Sequence, residues 1–580
     1  MTEDEIGMYT YRNLFEEEEK EQEREVLRKG IGGHLRVRCS DFVVYELEKQ
    51  KEKNIAHHAH AATAREAFRI AFSSSSSSSS ERRPFLKLEM TKAKLSTLKA
   101  ISTLSDFCEI RRASITFAGI KDAKAVTSQE ITIYEPTALQ RKRLDELNMD
   151  NLKLSKYRYV RKPLFPGWSR GNRFQIVLRG FRKNISVDRH ALRIANCVKR
   201  DGFLNYFGTQ RFSGTATRNE RVASCYLKRD YVGAVDAVLS PQPWGCATES
   251  ERSARLAWKD MRDPRSASKL MPRHLGFERQ ILKGLIDATK YAASSSLTTM
   301  THPERCRIAF LSTPFPDRLL CINAFFSRLW NKTASARIEQ SSSNVLVGDL
   351  VYDVDCEGGV RVLTERDVRS KRYAMTDVLL PLPGALSTYP SHFSGTYMRT
   401  FLQYENITGD AFTVEKGLGE DDLHMVKGAY RPVVVRPARF SASIVRYDKV
   451  AEPVFVTFEA GKKVLSMRTD ARGEMIDDKI LRALAASVED REIVRRTLCG
   501  FEESTWAVSE RESKSRNRHA CAGRTGAFVA IAFSFDLPPG TYATSLLREI
   551  MRGEGGAKAG GATGRGGQSH RRKRHIKFDD

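Results

Sequence analysis

Arg173–Phe181, RFQIVLRGF, alternates apolar and polar side chains over most of its length. Phe174, Ile176 and Leu178 fall on one side, and Arg173, Gln175 and Arg179 on the other. That two-residue period is the mark of a strand with one face on a core. Upstream, HLRVRCSDFVVYEL (34–47) carries the same signal, with Leu35 and Val37 opposite Arg36 and Arg38. Between the two runs, Leu95–Leu104 is compatible with a helix, and 188–201 spaces Leu192, Ile194, Ala195 and Val198 as a helix does. Further on, Ile322, Phe325, Phe326, Leu329 and Trp330 recur at helical spacing, so Ile322–Ile338 reads as an amphipathic helix. Strands and helices mix without regular βαβ repetition, which predicts an α+β fold.

The chain has 580 residues, enough for two or three domains, and 41% of them are hydrophobic. Lys and Arg number 96 against 71 Asp and Glu, a formal charge of +25. Such an excess draws polyanions, nucleic acid or an anionic membrane surface. No stretch is long and apolar enough to span a membrane. Glu16–Glu19, Glu21, Glu23 and Glu25 argue against a secretory signal or an acid-poor mitochondrial presequence. The ten cysteines show no CxxC or other metal-like spacing and read as reduced thiols of an intracellular protein. Residues 1–30 form a charged N-terminal segment, and 50–84 a flexible insertion ending in Ser73–Ser80, since polyserine buries too little apolar surface to offset its chain entropy. His57, His58 and His60 lie in that insertion and read as solvated rather than metal-binding. The polar patches 241–256 and 293–300 look like surface insertions, and 507–523 is similarly polar and basic. A basic tail closes in HRRKRHIK (570–577), which fits a nuclear-localisation or RNA-contacting cluster. The nucleus is the expected location, with the cytoplasm as alternative and the mitochondrion disfavoured.

Several standard active sites are absent. There is no GxxxxGK[ST], no GxGxxG after a strand, no HExxH, no Cys/His constellation and no GxSxG. No cofactor and no metal are therefore expected. What remains is FAGIKDAKAVTSQ (117–129), where Asp122 stands between Lys121 and Lys124, just after Gly119. The lysines would favour an ionised carboxylate and neutralise nearby phosphates. Taken alone, this is a surface ion pair worth under about 1 kcal/mol.

The segment resembles the active-site stretch of the TruD family of RNA pseudouridine synthases, and the resemblance continues in order along the chain. SDFVVYE (40–46), GNRF (171–174), NYFGTQRFSG (205–214), NAFFSRLWNKTASARI (323–338), GDLV (348–351), TDVLLPLPG (376–384), Tyr389–Pro390, GAYRP (428–432) and FDLPPGTYATSLLRE (535–549) are each similar to family segments, with features of its eukaryotic and archaeal branch. The matches run from about residue 34 to 551; NYFGTQRF and LPPGTYATSLLRE are the specific ones, GNRF and GDLV weak.

The resemblance implies a pseudouridine synthase core with a mixed, mainly antiparallel sheet, discontinuous over 31–231 and 427–551, and an inserted α+β TRUD domain over 232–426, with a basic tail at 552–580. It implies an isomerase that converts uridine to pseudouridine in RNA, tRNA first and other small RNAs or mRNA next, acting as a monomer, off the membrane and without a cofactor. Asp122 matches the catalytic aspartate. It would attack the ribose or the uracil ring, or remove a ribose proton to give a glycal. Phe42, Asn205 and Tyr542 match substrate-nucleotide contacts, where aromatic faces stack and an amide reads a base edge. Taken without the resemblance, Phe42 reads as a core strand residue and Asn205 as a cap or turn. Arg36 matches a basic residue near the carboxylate, suited to a phosphate or to Asp122, with a solvated strand face as the alternative. Phe207, Gln210 and Arg211 would wall the cleft, with Arg211 as a phosphate ligand. In the long helix this chain has AFFS (Ala324–Ser327) where the eukaryotic branch usually reads AYQS, a change expected to alter RNA choice. The alternative function is a non-catalytic RNA-binding or RNA-folding factor with the same cleft; the presence of Asp122 favours the enzyme.

Overall fold

The structure is a computed structural model that describes residues 31–48, 83–182, 185–208, 211–212, 216–242, 245–294, 300–353, 355–356, 359–419, 422–447, 457–459, 462–464 and 528–551. The expectations for 1–30, for the Ser-rich insertion with its histidines, for Gln210, for 507–523 and for the basic tail fall outside these residues, as does most of 293–300.

A nine-stranded sheet is built from β1 (His34–Leu35), β2 (Phe42–Leu47), β3 (Phe85–Ala93), β4 (Ile115–Phe117), β5 (Val126–Tyr134), β6 (Leu152–Val160), β7 (Gly171–Arg182), β8 (Ala438–Tyr447) and β9 (Phe528–Leu537). Its order is β8-β9-β7-β2-β5-β3-β6, with β1 beside β7 and β4 beside β5. Only β2 and β5 run parallel; the other pairings are antiparallel. The fold is thus α+β with a mixed, mainly antiparallel sheet. GNRF opens β7, where Gly171 has φ 139° and a Cβ would lie 2.1 Å from the Leu537 carbonyl oxygen. Only glycine lets β9 end so close to this strand.

One face of the sheet carries the core. Phe174, Ile176 and Leu178 of β7 stand opposite Phe42 and Val44 of β2 and Phe533 and Phe535 of β9, and the helices Ile185–Asp201 and Ala543–Met551 cover them. At the other end of the same face, Leu86, Leu88 and Met90 of β3 and Ile131 and Ile133 of β5 lie under the helix Thr97–Cys108. Between these two covered areas the face turns polar, with Lys92, Thr127, Gln129, Glu46 and Asn172 in register. The opposite face is not simply solvent-facing: Arg179 is buried there in a bidentate pair with Asp41, at 2.7 and 2.9 Å.

HLRVRCSDFVVYEL is not one strand. Arg36 takes a left-handed backbone (φ 60°), and Cys39–Asp41 form a short turn whose Arg38 N–H donates to Asp41 Oδ2 at 2.8 Å. The run therefore leaves the sheet between β1 and β2 and returns. The polar patch at 241–256 is not a surface insertion either. Thr248 caps a helix, Glu249–Met261, that buries Ala254 and Trp258 in a helical core, and its buried Arg255 is paired with Glu251 and Glu278.

The chain between β7 and β8 makes two further cores around one long helix, Phe315–Gln340, which extends past its predicted ends on both sides. Its first half joins a helical cluster from 222 to 311 and the helix Phe393–Tyr404; Phe325 packs on Phe401 and Phe326 on Phe412. Its second half packs against a four-stranded sheet, ordered 360–362, 350–352, 379–382, 429–432. Phe203–Leu204 pairs antiparallel with Val434–Val435, so the chain entering this region lies against the chain leaving it.

Candidate active site

Asp122 sits in the loop between β4 and β5, and the loop backbone is tied at several points. Gln129 Nε2 donates to Gly119 O at 2.9 Å, Thr97 Oγ1 donates to Gln129 Oε1 at 2.9 Å, and the Lys121 N–H donates to Thr97 Oγ1 at 3.0 Å. Thr97 is itself fixed as the first residue of a helix whose N-cap is Ser96. From below, Lys92 Nζ donates to Asp122 O at 3.1 Å. These bonds come from the polar strip of the sheet face, which explains why that strip lacks apolar side chains: buried polar groups there satisfy a loop rather than a core.

The carboxylate faces outward, with its side chain 29% exposed, and Arg36 NH2 donates to Oδ2 at 2.6 Å. The Arg36 guanidinium lies 4.1 Å from the Phe42 ring centroid, so one cation is held by a charge and an aromatic face together. Of the readings open for Arg36, the structure gives the Asp122 partner. Phe42 is buried, edge-on to Phe174 at 6.1 Å, and supports Arg36. Lys121 does not serve Asp122 as expected. Its ammonium turns to Glu46 Oε1 at 2.6 Å and Asn172 Oδ1 at 2.8 Å, because both acceptors stand on the sheet face beneath the loop. Lys124 is exposed.

A second group gathers the remaining predicted residues. Phe207 is buried against Trp330 (5.6 Å) and Tyr542 (6.2 Å), and Arg211 lies 5.6 Å from its ring while donating to Ser327 Oγ at 3.3 Å. Asn331 on the long helix holds the Phe207 backbone, accepting from its N–H at 2.9 Å and donating to its carbonyl at 3.0 Å. Asn205 is buried with both ends of its amide engaged: Nδ2 donates to Pro432 O at 3.1 Å and Oδ1 accepts from Arg431 at 2.7 Å.

Arg431 was not singled out in the sequence, yet it joins this group. Its guanidinium lies 4.0 Å from the Phe207 ring centroid and 5.7 Å from that of Tyr542, and it donates to the carbonyls of Asn205 and Gly540. Burial pushes its pKa down to about 9, which leaves it charged at neutral pH. A signal was present in GAYRP, an arginine inside an otherwise apolar strand segment.

The two groups meet through one corner of the sheet. Asn172, which takes Lys121, is the register partner of Leu537, and Leu537 leads through Gly540 to Tyr542. Among the described residues, no three His, Cys, Asp or Glu side chains are grouped to hold a metal, and no helix is long and apolar enough to cross a membrane. An outward carboxylate on a tied backbone, with an arginine on it and aromatic side chains nearby, suits nucleophilic or base chemistry on a nucleotide.

Comparison with known proteins agrees with this geometry. The family model described as tRNA pseudouridine synthase D (TruD) matches residues 26–462. The human pseudouridylate synthase 7 homolog is 27% identical over 502 residues, 87% of this chain and 63% of the human protein. The multisubstrate pseudouridine synthase 7 of Schizosaccharomyces pombe is 26% identical over 404 residues, 64% of this chain and 56% of the yeast protein. The chain thus spans less than two thirds of the length of these relatives. In fold, it is similar to a crystal structure from Methanosarcina mazei assigned to tRNA pseudouridine synthase D, with a TM-score of 0.55 at 20% identity, covering 94% of this chain and 97% of the other. With the family model matched over most of its length, the chain belongs to the TruD family of pseudouridine synthases.

Proposed function

We propose that this chain is an RNA pseudouridine synthase that isomerises uridine to pseudouridine, with tRNA as its first substrate class and Asp122 as its catalytic carboxylate. The observation that carries the reading is the tied loop, which fixes the Asp122 backbone and turns the Arg36-paired carboxylate outward. The reaction breaks the bond between uracil N1 and ribose C1′, forms one between C5 and C1′, and moves a proton from C5 to N1. Atoms balance without an oxidant or reductant. Asp122 starts it, either by attack on the ribose or the ring or by taking a ribose proton.

Arg36, Arg211 and Tyr542 form the substrate side of this proposal; the expected base contacts of Phe42, Asn205 and Phe207 give way to support from within, since Phe42 is buried beneath Arg36, Asn205 has both amide ends engaged and Phe207 is covered by Arg431 and Trp330. Tyr542 offers aromatic surface, and Arg211 a phosphate contact. The net charge of +25 favours an RNA partner. We read the synthase core as 31–231 with 427–551, and 232–426 as the inserted unit.

The test is to incubate uridine-labelled total tRNA with wild type and with Asp122→Ala, then assay pseudouridine. Wild type is expected to form it and the variant to form none. Equal activity of the two proteins removes Asp122 from the chemistry. Wild type that binds RNA yet modifies no cellular RNA replaces the enzyme with an RNA-binding factor.

A further inference from the structure

Lys92 is the next-to-last residue of β3, lies on the polar strip and is fully buried. Its Nζ donates to Leu95 O at 2.7 Å and Asp122 O at 3.1 Å, and approaches Lys121 O at 3.5 Å. An ammonium has three N–H donors, and these three acceptors are all backbone carbonyls. Burying a cation on carbonyls alone is costly, so its placement under one particular loop calls for a reason. Two of the three carbonyls belong to Lys121 and Asp122, and the Asp122 charge favours the protonated lysine.

We propose that Lys92 is the positioning residue of Asp122: it holds the loop by its carbonyls and sets a buried positive charge beside the carboxylate that Arg36 pairs from outside. The proposal rests on Asp122 being catalytic. Burial pushes the Lys92 pKa down to about 8, with Asp122 pulling it up and Lys121 pushing it further down. The Cys39 thiol beside it is raised by burial, so it stays protonated around that pH. The lysine charge is therefore lost as pH rises through about 8. Stability moves the other way. Between about 8 and 10.5 the unfolded chain holds the proton that the folded one has released, so folding gains from this group as pH rises. An alkaline fall in activity without a fall in stability separates the lysine from general unfolding.

The experiment is steady-state kinetics on one tRNA transcript from neutral to alkaline pH, with thermal melts of each protein, for wild type, Lys92→Met, Lys92→Gln and Asp122→Asn. Lys92→Met is expected to keep its KM within about twofold, lose about tenfold or more in kcat, and lose the alkaline inflection of wild type. Lys92→Gln keeps two donors for the loop without the charge; it covers the case in which the methionine variant does not fold. Reduced kcat with the inflection gone supports the proposal. Wild-type kcat with an unchanged profile in a folded Lys92 variant overturns it. An active Asp122→Asn overturns instead the reading of Asp122 on which it rests.

Discussion

Arg36 brings three constraints together at a single residue. Its left-handed backbone, at φ 60°, is uncommon for a residue with a Cβ and costs of order 1 kcal/mol or more. In return the side chain doubles back over Phe42 to reach Asp122. Removing the guanidinium takes away the contact to Oδ2 while leaving the core beneath intact. Arg36→Gln is therefore expected to lower kcat/KM by about ten- to a hundredfold, while the melting temperature falls little, since a part-exposed pair contributes at most about 1 kcal/mol. Kinetics and a melt on the same preparation check both halves. At this scale the sequence was partly legible. Asp122 stood out through its neighbours in FAGIKDAKAVTSQ. The choice of cation did not, because Lys121 is adjacent in sequence and yet closer in space to Glu46 and Asn172. Lys92 left no periodic trace, since a buried cation resting on carbonyls looks in sequence like any other basic residue; Arg431 showed only as a charge within the apolar GAYRP.

Among the elements, the long helix does the most positioning. Asn331 holds both backbone groups of Phe207, Ser327 receives Arg211, and Trp330 backs the Phe207 ring. The AFFS departure sits one turn earlier, and both rings point into the helical core rather than toward an RNA surface: Phe325 is 6% exposed and Phe326 2%. Phe326→Gln would place an amide against Phe412 and remove ring contacts. It is expected to cost about 2–4 kcal/mol in denaturant unfolding with the RNA preference unchanged. Arg431 links two other elements, the 205–207 segment and the turn at Gly540. Arg431→Met leaves three carbonyl or amide acceptors short of a donor, so it should lower stability by about 1–3 kcal/mol and raise KM for RNA more than it lowers kcat. The long helix and β7 were readable from the spacing of their apolar residues, although the helix runs past both of its expected ends. The break in 34–47 was not, because alternation continues through Arg36 even though the backbone leaves the sheet there. The helix at 249–261 was missed because its apolar face is small and its charges, Arg255 and Glu251, are buried as a pair.

For the whole molecule, β9 completes the sheet between β7 and β8, and with the helix Ala543–Met551 it closes the phenylalanine core. Deleting 528–551 would expose Phe174, Ile176 and Phe440 together. The truncated protein is expected to bind a hydrophobic dye and to lose cooperative melting and RNA modification alike. Local periodicity could not pair β7 with β9, since nothing in either strand names its partner; the family resemblance put both segments in one discontinuous core, and the pairing itself appears only in the structure. Arg173 and Asp536, paired at 2.7 Å across these strands, lie 363 residues apart. During synthesis at about 5–20 residues per second, β7 leaves the ribosome roughly 20–70 s before its central partner exists. Through that interval the nascent chain carries Asp122 on an unfinished sheet whose apolar face is open. The part of that face which Phe533 and Phe535 later cover has no partner of its own until the last strand arrives, so the same pairing that completes the core also sets when it can close.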